Sequence, residues 1–140
     1  MGAIIVLADD EPDLRSVYAA FLRNQGFDVH EACDGLQALE QVDALRPDLL
    51  LLDVWMPLLN GLEVVERLRH DPHSGQMRVV MLSNLGDSDT RLEGFSAGVS
   101  DYWVKGLSLA ELFRRVERLL SEPPPTCDYD LTGSPAASGR

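Results

Sequence analysis

The chain has 140 residues, 45% of them hydrophobic, which suits one ordinary globular domain. Its formal charge of −11 argues against direct binding of nucleic acid, because a surface of that sign repels phosphates. No apolar run approaches the roughly 18 residues of a membrane span, and residues 1–8 lack the basic flank of a signal peptide, so a cytoplasmic protein is expected.

In chain order, the first apolar run is AIIVLA at residues 3–8, and it ends on Asp9 and Asp10. Leu14, Val17, Tyr18, Phe21 and Leu22 then recur at helical spacing, with Pro12 suited to the first turn and Gly26 to the residue just past the end. A weaker strand is expected at residues 27–32 and a helix at 36–45. LLLL at 49–52 is the most apolar strand and ends on Asp53, and a helix follows at 62–68. VVML at 79–82 ends on Ser83. A helix over about residues 88–97, interrupted by Gly94, leads to Gly98 and to a short strand at 102–104 that ends on Lys105. Leu109, Leu112, Phe113, Val116, Leu119 and Leu120 mark the last helix, opened by Ser108 and Glu111 in a capping-box pattern. Pro123, Pro124 and Pro125 stop it, and residues 122–140, poor in apolar periodicity, read as a disordered tail or the start of a linker, leaving 1–121 as the domain.

Continuous apolar runs fit strands covered on both faces, and strand-helix alternation fits a doubly wound parallel sheet in an α/β fold. Ligands of such sheets bind beyond the carboxyl ends of the strands, and Asp9, Asp10, Asp53, Ser83 and Lys105 all follow strand ends. Three carboxylates brought together repel one another and call for a cation; oxygen ligands with room for water suit Mg²⁺. With a hydroxyl and an ammonium facing the same space, the set is equipped to move a phosphoryl group onto a carboxylate, for which Asp53 is the natural nucleophile. Taken alone, the acidic run at 9–11 is more often a helix N-terminus complementing the dipole, and the joint occurrence of all five residues favours the site.

Several further residues have plain readings. Cys33 and Cys127 form no framework and are expected as free thiols. His70 and His73 lack a third ligand, and His30 sits on the strand expected at the sheet edge. Nucleotide-binding and zinc-protease motifs are absent from the sequence. An Asp-nucleophile phosphatase is disfavoured, since Trp55 stands where such enzymes carry a second acid.

The chain resembles the receiver domain of two-component response regulators, through ADDEP at 8–12, LLDVWMP at 51–57, Asn60-Gly61, Leu82-Ser83 and AGVSDYWVK at 97–105. The resemblance implies a flavodoxin-like, five-stranded parallel sheet of order 2-1-3-4-5 with five helices. It implies that Asp53 is a phosphoacceptor served by a histidine kinase or phosphotransfer protein, that Asp10 and Asp53 bind Mg²⁺ with the carbonyl of Trp55, and that Asp9 acts through metal-bound water. Ser83 and Lys105 would contact phosphoryl oxygens, and Ser83 and Tyr102 would form the switch. The surface switched for a downstream partner, and used by many receivers to dimerise, would comprise the fourth helix, fifth strand and fifth helix; Asp101, Arg114, Arg115 and Arg118 are available for charge pairs there. Trp55 and Leu85 would flank the path of the hydrolytic water, and their apolar bulk predicts slow self-dephosphorylation. The chain departs from the pattern at Gly106, where Pro after a cis bond is usual and a looser loop is expected, at Asn60 and at Asn84. A pseudo-receiver, binding protein partners without phosphate, is the alternative function.

Overall fold

A computed structural model describes residues 2–84 and 98–122. Five strands, β1 (Ile4–Ala8), β2 (Asp28–Ala32), β3 (Leu49–Asp53), β4 (Arg78–Ser83) and β5 (Asp101–Val104), form one parallel sheet of order β2-β1-β3-β4-β5. The described helices are α1 (Pro12–Asn24), α2 (Gly35–Leu45), α3 (Gly61–His70) and α4 (Leu109–Ser121). The helix expected over residues 88–97, together with Leu85, Cys127 and the tail from 123 onward, lies outside the described residues.

The period-2 alternation of each strand divides the core into two layers. Val6, Ala8, Leu50, Leu52, Val79 and Met81 face α2 and α3, while Ile5, Leu7, Leu49, Leu51, Val80 and Leu82 face α1 and α4. All of these are fully buried, which accounts for the unbroken apolar runs. Tyr102 joins the first layer and its neighbour Trp103 the second. On α1 the apolar stripe is narrower than its spacing suggests: Tyr18, Ala19 and Leu22 are buried, but Val17 is exposed.

Helix ends show why the elements stop where they do. Pro12 occupies the first turn of α1, and Gly26, at φ +102°, takes the left-handed position after its end. Asn60 and Glu63 form a complete capping box on α3, each side chain accepting the other's backbone N–H at 2.9 Å. The pattern expected at α4 is only half realised. Ser108 Oγ accepts the Glu111 N–H, but the Glu111 carboxylate turns instead to Arg114 and Arg115, which hold its pKa down at about 2. The edge strand β2 is blunted by side chains, with Arg23 donating to the Val29 carbonyl and Gln41 to that of Glu31.

Candidate functional site

Strand register brings the five sequence-predicted residues to one edge. Ala8 pairs with Leu52 and Asp53 with Leu82, while Ser83 pairs with Val104, so Asp9, Asp53, Ser83 and Lys105 emerge within one step of each other. The Lys105 N–H donates to the Ser83 carbonyl at 2.6 Å and the Val54 N–H to that of Leu82 at 3.1 Å, which fixes the two loops that frame the site. Gly61 lies against the backbone of Asp53: a Cβ there would come 2.6 Å from the Asp53 carbonyl oxygen. The start of α3 is thereby held close to the end of β3.

Asp9, Asp53 and Ser83 are buried, whereas Asp10 is exposed. Asp9, Asp10 and Asp53 each offer a carboxylate oxygen, and these lie within 4.8 Å of one another. At that spacing two full charges repel by about 3–4 kcal/mol at an effective dielectric near 20. Burial, reinforced by Asp9, therefore raises the Asp53 carboxyl to about 7, even though the Lys105 ammonium opposes the shift.

Lys105 is the counterweight. Its ammonium lies 3.2 Å from Asp53 Oδ1, 3.2 Å from Asp9 Oδ2 and 2.7 Å from Glu11 Oε1. Burial disfavours its charge, but Glu11, Asp53 and Asp9 outweigh that cost and hold its pKa above that of free lysine. The Lys105–Gly106 peptide is trans, like every described bond, and Gly106 takes φ +98°, a left-handed turn that glycine adopts freely. In the loop that follows, the Tyr18 hydroxyl on α1 lies 3.4 Å from the Leu107 carbonyl. Burial raises the Tyr18 phenol, partly offset by a backbone hydrogen bond from Gly106.

The residues present suit a hard divalent cation. The cluster offers only oxygen donors, and Asp9 Oδ2, although within ion-pair distance of Lys105, is buried without a hydrogen bond. Trp55 is 55% exposed beside the cluster, with its N–H 3.3 Å from Asp53 Oδ1. Tyr102 is buried, Asn84 is exposed and Asn60 serves as the cap of α3. Neither His70 nor His73 belongs to a cluster able to hold a metal among the described residues; the His70 ring faces the Glu66 carbonyl.

Sequence reasoning missed three contributors. Glu11 is the nearest partner of Lys105, a contact foreshadowed only by the length of the acidic run. Arg15 grips the acidic loop, donating to the Asp9 carbonyl at 2.6 Å and to Glu31 at 3.1 Å. Tyr18 holds the loop after Lys105, and helical spacing explained it as core alone. A cleft of about 730 Å³ lies elsewhere, at the ends of α2 and α3, lined by Arg46, Asp48, Arg67 and Arg78 among others. It contains none of the acidic cluster.

Comparison with known proteins agrees with this geometry. Residues 5–117 match the family model described as the response regulator receiver domain. The chain is 40% identical over 116 residues to the transcriptional regulatory protein PrrA of Mycobacterium tuberculosis, covering 83% of this chain and 49% of that protein. It is 34% identical over 116 residues to the DNA-binding dual master transcriptional regulator RpaA of Synechocystis sp., covering 83% and 48%. The chain thus spans about half the length of the curated relatives it matches. A putative response regulator from Chloroflexus aurantiacus superposes with a TM-score of 0.82 at 30% identity, covering 87% of this chain and 100% of that one. The chemotaxis response regulator CheY4 of Vibrio cholerae gives 0.79 at 26% identity, covering 85% and 99%. Fold, strand-end chemistry and these likenesses agree, and the chain belongs to the response regulator receiver domain family.

Proposed function

We propose that the chain is a phosphorylation-dependent signalling switch in which Asp53 accepts a phosphoryl group from a histidine kinase or phosphotransfer protein in the cytoplasm. The observation that carries this reading is the convergence on one sheet edge of the Asp9, Asp10 and Asp53 carboxylates with the Lys105 ammonium. A carboxylate oxygen of Asp53 attacks phosphorus while the bond from phosphorus to the donor's imidazole nitrogen breaks, and the electron pair leaves with that nitrogen.

Asp10 and Asp53, with the carbonyl of Trp55, would hold Mg²⁺, and Asp9 would bind its water. The chemistry a bound Mg²⁺ supplies is neutralisation of charge on the transferring oxygens. Lys105 orients those oxygens by charge and Ser83 by its hydroxyl. An ionised Asp53 is the nucleophilic form, and its raised pKa couples that ionisation to a nearby positive charge.

Ser83 moving toward the phosphoryl group, with Tyr102 following, would convert the charge event into a change of surface. Ser83 and Tyr102 lie on adjacent strands, and Met81, two residues before Ser83, pairs with Tyr102 in the sheet register. The surface read by a downstream protein, or by a second copy, would include β5 and α4. The relatives' names describe transcriptional regulators, but this chain matches only about half of each, so DNA binding is not assigned to it.

Incubation with Mg²⁺ and acetyl phosphate followed by intact-mass measurement tests the proposal. One phosphoryl adduct, about 80 Da, absent from Asp53→Asn, is the expected result. A folded, Mg²⁺-binding protein that gains no mass from acetyl phosphate or from any of a panel of histidine kinases would instead establish the pseudo-receiver.

A further inference from the structure

Among the three carboxylates around Lys105, Glu11 makes the shortest contact, 2.7 Å, yet it stands outside the cluster that can hold a cation. Its local structure leaves the carboxylate unused by the helix. Glu11 is the N-cap of α1 by position but makes no side-chain cap, and its own N–H is taken by Asp9 Oδ1 at 2.9 Å. The Glu11 carboxylate instead extends to Lys105, whose side chain is only 8% exposed, while its own side chain remains 56% exposed.

The ammonium and a divalent cation need the same oxygens. Lys105 lies 3.2 Å from both Asp9 and Asp53, two of the three residues that would bind the ion. A cation entering that cluster repels the ammonium and competes with it for those carboxylates. Glu11 is a carboxylate within reach of Lys105 that does not belong to the contested set.

We propose that Glu11 is a positioning residue that acts through Lys105: it draws the ammonium off Asp9 and Asp53, and so opens those carboxylates to Mg²⁺. The inference rests on reading the cluster as a Mg²⁺ site. Without Glu11, Lys105 settles wholly on Asp9 and Asp53 and opposes the ion more strongly.

Calorimetric titration of Mg²⁺ into the unphosphorylated protein tests this without any phosphoryl transfer. Glu11→Gln keeps the shape of the side chain and removes its charge. Asp13→Asn removes the same charge from an exposed position in the first turn of α1, where no contact with Lys105 exists among the described residues. Glu11→Gln is expected to weaken Mg²⁺ binding by about threefold to fivefold more than Asp13→Asn, as suits a partly exposed ion pair. In a Lys105→Met background that excess should vanish, because no ammonium remains to be drawn away.

Equal effects of Glu11→Gln and Asp13→Asn would overturn the proposal, as would persistence of the excess in the Lys105→Met background. Absence of Mg²⁺ binding in the unaltered protein would overturn both this inference and the site reading beneath it. Coupling between Glu11 and Lys105 in a protein that never takes up a phosphoryl group would support the inference and overturn only the proposed phosphorylation.

Discussion

Arg69 donates twice to the Gly98 carbonyl, from Nε at 3.0 Å and from Nη2 at 2.6 Å, and so joins the end of α3 to the approach to β5. Its Nη1 serves the carbonyls of Ser74, Gly75 and Met77 in the loop before β4. Burial lowers the Arg69 pKa, and the partners described are backbone dipoles rather than a carboxylate. Arg69→Met should cost about 2–4 kcal/mol by leaving these carbonyls without their donor, and Arg69→Lys should restore only part of that, because an ammonium lacks the planar fork. Urea unfolding of both variants, with phosphoryl uptake of the folded fraction little changed, checks this.

Asp53 gives the protein a pH signature. Its carboxyl stands at about 7 in the folded chain against an ordinary 3.8, so the folded state holds a proton that the unfolded state sheds. The stability this confers is complete below about pH 4 and is lost as pH rises through about 7. The metal-free protein should therefore lose urea resistance between about pH 4 and about pH 7, while Asp53→Asn should show a flatter profile. Addition of Mg²⁺ should restore stability chiefly at the upper end, because a cation favours the ionised carboxylate.

The junction of β3 and α3 makes a third prediction. Asn60→Ala removes the cap and should cost about 1 kcal/mol with the site intact. Gly61→Ala places a methyl group against the Asp53 carbonyl, with Met81 Sδ a further 3.1 Å contact, so it should both destabilise the fold and slow phosphoryl uptake. Comparing melting temperature with uptake rate in the two variants separates the effects.

Lifetime of the phosphoryl group is a fourth. Trp55 stands exposed beside Asp53, and neither it nor Leu85 has a side chain able to orient a water by accepting its proton. Trp55→Asn combined with Leu85→Glu should speed self-dephosphorylation about tenfold or more, timed by decay of the phosphorylated mass. An unaltered decay would leave Trp55 as surface cover only.

The sheet was legible because strands buried on both faces must be apolar throughout, and the polar residue ending each run marks the strand end directly. Asp9, Asp53, Ser83 and Lys105 were therefore visible in the sequence, as the register shows. Glu11, Arg15 and Arg69 were not, because each acts on a partner that the chain brings near only after folding. Charged helix residues look alike in sequence whether they face solvent or hold a loop. The same limit applies to Glu111, whose choice of Arg114 and Arg115 over its own helix end depends on competing side chains within one turn. Val17 shows the converse error, an apolar residue at helical spacing that the width of the stripe leaves outside.

Charge added at Asp53 should be felt on β5. Amide NMR spectra of the protein with Mg²⁺, recorded before and after acetyl phosphate, test it most directly. Shifts at Ser83 and Lys105 that extend to Tyr102 and Trp103, all absent from Asp53→Asn, are the expected result. Phosphorylated protein whose shifts stop at Asp53 and its immediate neighbours would contradict it.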